Sequence, residues 1–187
     1  GSQSLTDYER YTSVFGQEIK MHSLYVTKPG EDLLTRDNLI KLMNILEDIT
    51  QHPSLSATCQ RMLGQCFVNS PLFAFMNNRA TLESHPNDDS VKESLKNSTM
   101  MNISSFTGEY NPEKVSSSYV WMMFFQYLEN TTAIEDFEAY FDKLENLEGF
   151  RVYPNSAGAQ GRELKKSITG DLKFLGISYA LCFVFIS

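Results

Sequence analysis

The chain has 187 residues, 42% hydrophobic and 21% charged, with a net charge of -7 and a pI near 5.0. That size suits one domain with a decorated loop, large enough to bury a core without a metal to hold it. The acidic balance, with no Lys/Arg stripe, excludes nucleic acid and gives an anionic membrane surface nothing to attract.

In chain order, the first expected element is a short helix over 4–16, with Ser4 as N-cap, a Leu5, Tyr8, Tyr11, Phe15 stripe and Gly16 as its stop. A strand is expected over 18–27, closed by Pro29-Gly30. A long helix follows over 36–51, capped by Thr35, with Asp37 in its first turn and Leu39, Leu42, Met43, Leu46 and Ile49 on one face. His52-Pro53 closes it. Residues 53–100 read as an irregular insertion. It holds Cys59 and Cys66, a short helical patch at Pro71–Met76, and a turn-rich polar surface loop over 84–90.

The strand signal returns at Met101–Phe106, then comes a turn over 107–114. Val115 to Leu128 contains the strongest strand, whose near-continuous apolar run reads as a central strand buried on both faces. A second helix is expected over 132–147. Ile134, Phe137, Phe141 and Leu144 form its stripe, and Glu135, Asp136, Glu138, Asp142, Lys143 and Glu145 form a solvated face. Phe150–Tyr153 is a short strand ended by Pro154-Asn155, and a polar amphipathic helix over 158–172 runs into an apolar tail. Strand, helix, insertion, strand, strand, helix, strand is the βαββαβ order of a ferredoxin-like α+β sandwich with an insertion after its first helix.

Three features bear on placement. Cys59 and Cys66 are separated by six residues, wider than zinc spacing, so they are expected to form a disulfide that pins a local loop. Asn97, Asn102 and Asn130 each open an N-x-[ST] sequon, which with the cysteine pair points to an oxidising, extracellular or lumenal compartment. After Lys173 come fourteen uncharged, mostly apolar residues. A run of that length reads either as a buried core helix or as the start of a membrane span, and its abrupt end favours the span. The expected division is an exposed domain over 3–172 and a truncated transmembrane helix over 173–187.

Chemistry-bearing constellations are scarce. His22, His52 and His85 are far apart in sequence, and two precede prolines, so each reads as structural or solvated. No nucleophile–base pair, phosphate-binding glycine loop or metal-ligand spacing occurs, so neither catalysis nor a cofactor is expected.

Several strings, taken together, resemble the first extracellular or lumenal domain of the Patched and Niemann–Pick type C relatives within the resistance-nodulation-division (RND) superfamily. They are Asp7–Gly16, the Cys59–Cys66 loop followed by Asn69-Ser70-Pro71-Leu72, Phe106–Glu109 leading to Lys114-Val115, Gly161–Leu164 with Ile168–Asp171, and Ile177–Phe185. The last two are similar to that family's junction into a sterol-sensing domain. The compact insertion resembles a Patched-domain-containing relative more than Niemann–Pick type C itself. The resemblance implies an RND porter-type fold in an integral membrane protein that transports or senses sterols or other lipids. The ion-coupling residues of such proteins lie inside the membrane, so no coupling role falls on this chain. The alternative is a receptor-type ectodomain that binds a protein ligand through 53–100.

Overall fold

The computed structural model describes residues 19–128 and 131–159. By its internal contacts the chain divides at Ser156/Ala157, and the first unit is described below. The expected helix over 4–16, the tail over 173–187 and Asn130 lie outside the described residues, as does all but the start of the expected helix over 158–172.

The unit is α+β. Its strands are β1 (Ile19–Thr27), β2 (Arg61–Met62), β3 (Gln65–Cys66), β4 (Val68–Asn69), β5 (Thr107–Gly108), β6 (Tyr119–Tyr127), β7 (Asn146–Leu147) and β8 (Phe150–Asn155). Its α-helices are α1 (Arg36–Gln51), α2 (Pro53–Ser56), α3 (Arg79–Glu83), α4 (Asp88–Lys96) and α5 (Thr131–Phe141), with 3-10 turns at Pro71–Phe75 and Ile103–Phe106.

The main sheet has the order β4-β6-β1-β8-β7, with β5 also paired to β6, and every neighbouring pair is antiparallel. β1 is central: Ile19 lies opposite Tyr127 and Thr27 opposite Tyr119 on one side, while Ser23 lies opposite Asn155 on the other. β2 and β3 make a separate two-residue hairpin.

The period-2 pattern sorts this sheet into two faces. His22, Leu24 and Val26 of β1, Val120, Met122, Phe124 and Gln126 of β6, and Val152 of β8 are buried. The apolar ones among them share one cluster with Leu39, Leu42, Met43, Leu46 and Ile49 of α1 and with Phe137 and Phe141 of α5. α1 forms as its sequence dictates. The Thr35 hydroxyl accepts from the Asn38 amide, and the apolar residues recur at helical spacing.

Four expectations are corrected. β6 is not buried on both faces: Val120, Met122, Phe124 and Gln126 are buried, while Tyr119, Trp121, Met123, Phe125 and Tyr127 are half-buried. A continuous apolar run arises here because the second face carries aromatic rings and methionine. Ile103–Phe106 is a 3-10 turn and not a strand, because the Asn102 side chain accepts from the Ser104 amide at 3.2 Å and closes the backbone locally. The polar stretch over 84–90 is only partly loop, since Asn87 caps α4, and Asp88 and Asp89 occupy its first turn. The second helix ends at Phe141. Residues Asn146–Leu147 pair with β8 through Glu148 and Gly149, both at positive φ (53° and 79°), the geometry of a two-residue hairpin turn.

Candidate functional site

Beneath the sheet lies a polar cluster inside the apolar core. β1 supplies His22, fully buried, whose Nε2 pairs with Gln126 Oε1 across the strand at 3.1 Å. Gln126, also fully buried, donates through Nε2 to Thr58 Oγ1 at 2.6 Å and to the Ser54 carbonyl at 3.1 Å, tying β6 to α2 and the residues after it. From α5, Glu138 is only 3% exposed, and its carboxylate lies 3.7 Å from Lys20 Nζ. Asp142 accepts from the buried Ser156 hydroxyl at 3.1 Å. Phe137 and Phe141 wall the imidazole edge-on at 5.0 and 5.9 Å.

Glu138 is therefore a correction: it faces inward, whereas Glu135, Asp136, Asp142, Lys143 and Glu145 are exposed. The signal was present in the spacing. Glu138 follows Ile134 by four residues and precedes Phe141 by three, which puts it on the core side. Gln126 and His22 likewise sit in phase with buried neighbours two residues away.

Burial lowers the His22 pKa from its ordinary 6.5, against the opposing pull of Glu138, the Gln126 hydrogen bond and Asp142; Lys20 adds to the lowering. The folded state thus resists a proton that the unfolded chain accepts below about pH 6.5. This contribution to stability is whole above that pH and is lost as pH falls towards the depressed folded value. Urea midpoints measured between about pH 5.5 and 7.5 are expected to rise with pH in the parent and to rise less in His22→Gln. Equal slopes in the two proteins would remove His22 as the source.

The other histidines join no such network. His52 stacks on Tyr140 at 4.1 Å, and His85 meets Phe75 edge-on at 5.3 Å. His52 and His22 nonetheless share Phe137 as a neighbour, at 6.0 and 5.0 Å, despite their distance in sequence. Among the described residues no group of three His, Cys, Asp or Glu side chains is set to hold a metal ion.

The insertion carries the other expected site residues. Cys59 and Cys66 are joined in a disulfide with Cα atoms 5.5 Å apart. It closes the β2–β3 hairpin against α2, and Arg61 braces the same hairpin by donating to the carbonyls of Ser56 and Gly64 at 2.7 and 2.8 Å. An open groove of about 570 Å³ runs along one flank of the hairpin, lined by Thr50, Glu47, Arg79 and Glu83 among others. Asn97 and Asn102 are both exposed, Asn97 at the end of α4 and Asn102 at the start of the following 3-10 turn. In the second sequon the Ser104 hydroxyl donates to Asn102 Oδ1 at 2.7 Å.

The sheet's second face carries exposed and half-buried apolar side chains. Tyr25 stacks on Trp121 at 5.5 Å and on Tyr119 at 5.6 Å, and Ile19, Met21 and Tyr153 are 41%, 45% and 48% exposed. Among the described residues, no helix is long and apolar enough to cross a membrane. No protein-family model matches this chain, and no curated protein matches it.

Proposed function

We propose that this chain is the extracellular or lumenal domain of an integral membrane protein of the Patched-related RND type, and that the whole protein transports or senses sterols or other lipids. The observation that carries the proposal is the strand connectivity. α1 carries the chain from β1 to β4, and the two strands run parallel with β6 between them, antiparallel to both. α5 carries it from β6 to β8, again parallel, with β1 between. Two interleaved split βαβ units support the ferredoxin-like, porter-type reading that the sequence resemblance implies. The Cys59–Cys66 bond and the exposed Asn97 and Asn102 are compatible with an oxidising compartment. The aromatic second face of the sheet offers an apolar surface of the kind that hydrophobic cargo needs.

Placement and cargo are tested separately. Expressed in a secretory host, the chain is expected to carry glycans at Asn97 or Asn102 and a Cys59–Cys66 bond in its peptide mass spectrum. Free thiols at both positions with no glycan would sink the extracellular placement. A photoactivatable sterol incubated with the full-length protein in membranes is expected to label peptides of β1 or β6, and labelling competed by excess sterol is the supporting result. Uncompeted or absent labelling removes the sterol reading and leaves placement standing.

A specific observation also favours the second reading, a protein-binding ectodomain working through 53–100. The hairpin in that insertion presents Met62, 44% exposed, and Leu63, 83% exposed, at its tip.

A further inference from the structure

The second face of the sheet changes character along its strands. Cross-strand pairing sets its side chains in rows. At one end Ile19 lies beside Tyr127, then Met21 beside Phe125, then Ser23 between Met123 and Asn155. Among the described residues of these three rows none is charged, and Asn69, which extends the third row past Met123, is neutral too. The fourth row is aromatic, with Tyr153, Tyr25 and Trp121. The fifth brings in Arg151 beside Thr27, and past it Glu109 accepts from the Ser118 hydroxyl at 2.6 Å.

In the uncharged rows Ile19 and Met21 leave 41% and 45% of their surfaces exposed. Phe67 stacks on Phe125 at 5.4 Å and widens the apolar group. Lys20, between the two exposed residues in sequence, points to the other face, where it meets Glu138 at 3.7 Å. Scattered apolar residues at a surface need no explanation, but these adjoin one another at one end of the sheet. The course of the chain indicates what lies there. It enters β1 at Ile19 and leaves β8 at Asn155, beside Ser23, so both connections depart from the uncharged end. The second leads, with eighteen residues between, to the apolar run over 174–186.

We propose that this end of the sheet rests on a membrane, with Ile19, Met21, Phe125 and Tyr127 set into the head-group layer of a zwitterionic bilayer. The contact rests on the reading above, in which the protein is integral to a membrane and the run over 174–186 lies within it. Charge selects the lipid. The net charge of -7 repels an anionic surface, and the uncharged rows hold no cation to attract one. Size agrees. Successive rows on one face of a strand are about 6.7 Å apart, so with the strands upright two rows match a head-group layer about 5–8 Å thick. The aromatic fourth row then stands clear of it. Tyr127 suits the outermost row, because a phenol keeps its ring in apolar surroundings and its hydroxyl in water. The contact also brings the apolar face within reach of lipid leaving the bilayer, with the aromatic row as the next surface it meets.

The test is fluorescence quenching on the 187-residue chain in phosphatidylcholine nanodiscs, with a nitroxide on the lipid head group or on the acyl chain. In a Cys182→Ala background, with Cys59 and Cys66 left in their disulfide, a single cysteine carrying bimane replaces Met21, Tyr153 or Val184. The head-group nitroxide is expected to lower emission at position 21 by about twofold or more and to leave position 153, about 13 Å farther along the strands, nearly unchanged. The acyl-chain nitroxide is expected to quench position 184. Ile19→Cys repeats the measurement should Met21→Cys lower Tm. Position 21 unquenched with position 184 quenched overturns the contact and leaves the membrane reading standing; a second copy or residues 4–16 lying over the patch would give that result. Equal quenching at 21 and 153 also overturns it, because the whole face and not its end then meets lipid. No quenching at any position removes the membrane reading and the contact with it.

Discussion

Phe124→Ala is expected to destabilise the domain by about 3–5 kcal/mol, the usual cost of emptying a fully buried phenylalanine site. Phe124 is 0% exposed on the helix-side face of β6. It pairs with His22 across β1 and with Val68 of β4, and meets Phe141 of α5 edge-on at 5.7 Å. Three strands and one helix meet at this position. Against a total stability of about 5–15 kcal/mol, such a loss lowers Tm by on the order of 10 °C. Chemical denaturation checks it, with Met123→Ala as the companion. Met123 is next in the strand but half-buried on the other face, so its loss is expected to be a fraction as large. Equal losses at the two positions would contradict the two-faced description of the sheet.

Gln126→Leu is expected to cost roughly 2–4 kcal/mol although it places an apolar side chain in the core. The amide serves His22, Thr58 and the Ser54 carbonyl together. Leucine removes one hydrogen bond from each, and a buried polar group that loses such a bond regains no water in return. The Gln126 hydrogen bond also raises the His22 pKa against the stronger effect of burial. Removing it drives that pKa further down, so the variant is expected to lose more stability on acidification than the parent. Urea titrations at neutral pH and near pH 5.5 measure both effects. A Gln126→Leu protein as stable as the parent would show that the three groups find other partners.

The long regular elements were legible because their signals are redundant. α1 has a hydroxyl cap, an acidic first turn and an apolar face repeated over four turns, and each alone would place it. β1 and β6 are nine residues each and need no partner to be seen. The polar cluster was missed because residue type outweighed phase. A carboxylate such as Glu138 reads as outward by type, although its spacing from Ile134 and Phe141 puts it inward. The insertion's short strands and helix starts are illegible for a different reason. Its strands are two residues long, too short for any periodicity, and exist only because β6 and the disulfide hold them. Its helices begin at asparagine caps, Asn78 and Asn87, which read equally well as turn residues. The Leu63-Gly64 turn, at φ of 51° and 84°, carries no Asn-Gly signature.

The central place of β1 has a consequence for synthesis. Its two neighbours are encoded far downstream: Ile19 pairs with Tyr127, and Ser23 with Asn155. At about 5–20 residues per second, roughly 5–20 seconds separate the emergence of β1 from that of its first partner strand. During that interval Leu24, Tyr25 and Val26 are an open apolar edge on a nascent chain, and α1 emerges before the sheet it must cover. The disulfide loop, with six residues between its cysteines, can close early and alone. Folding therefore ends where the sheet begins, and the ribosome sets the pace at which the oldest strand finds its place.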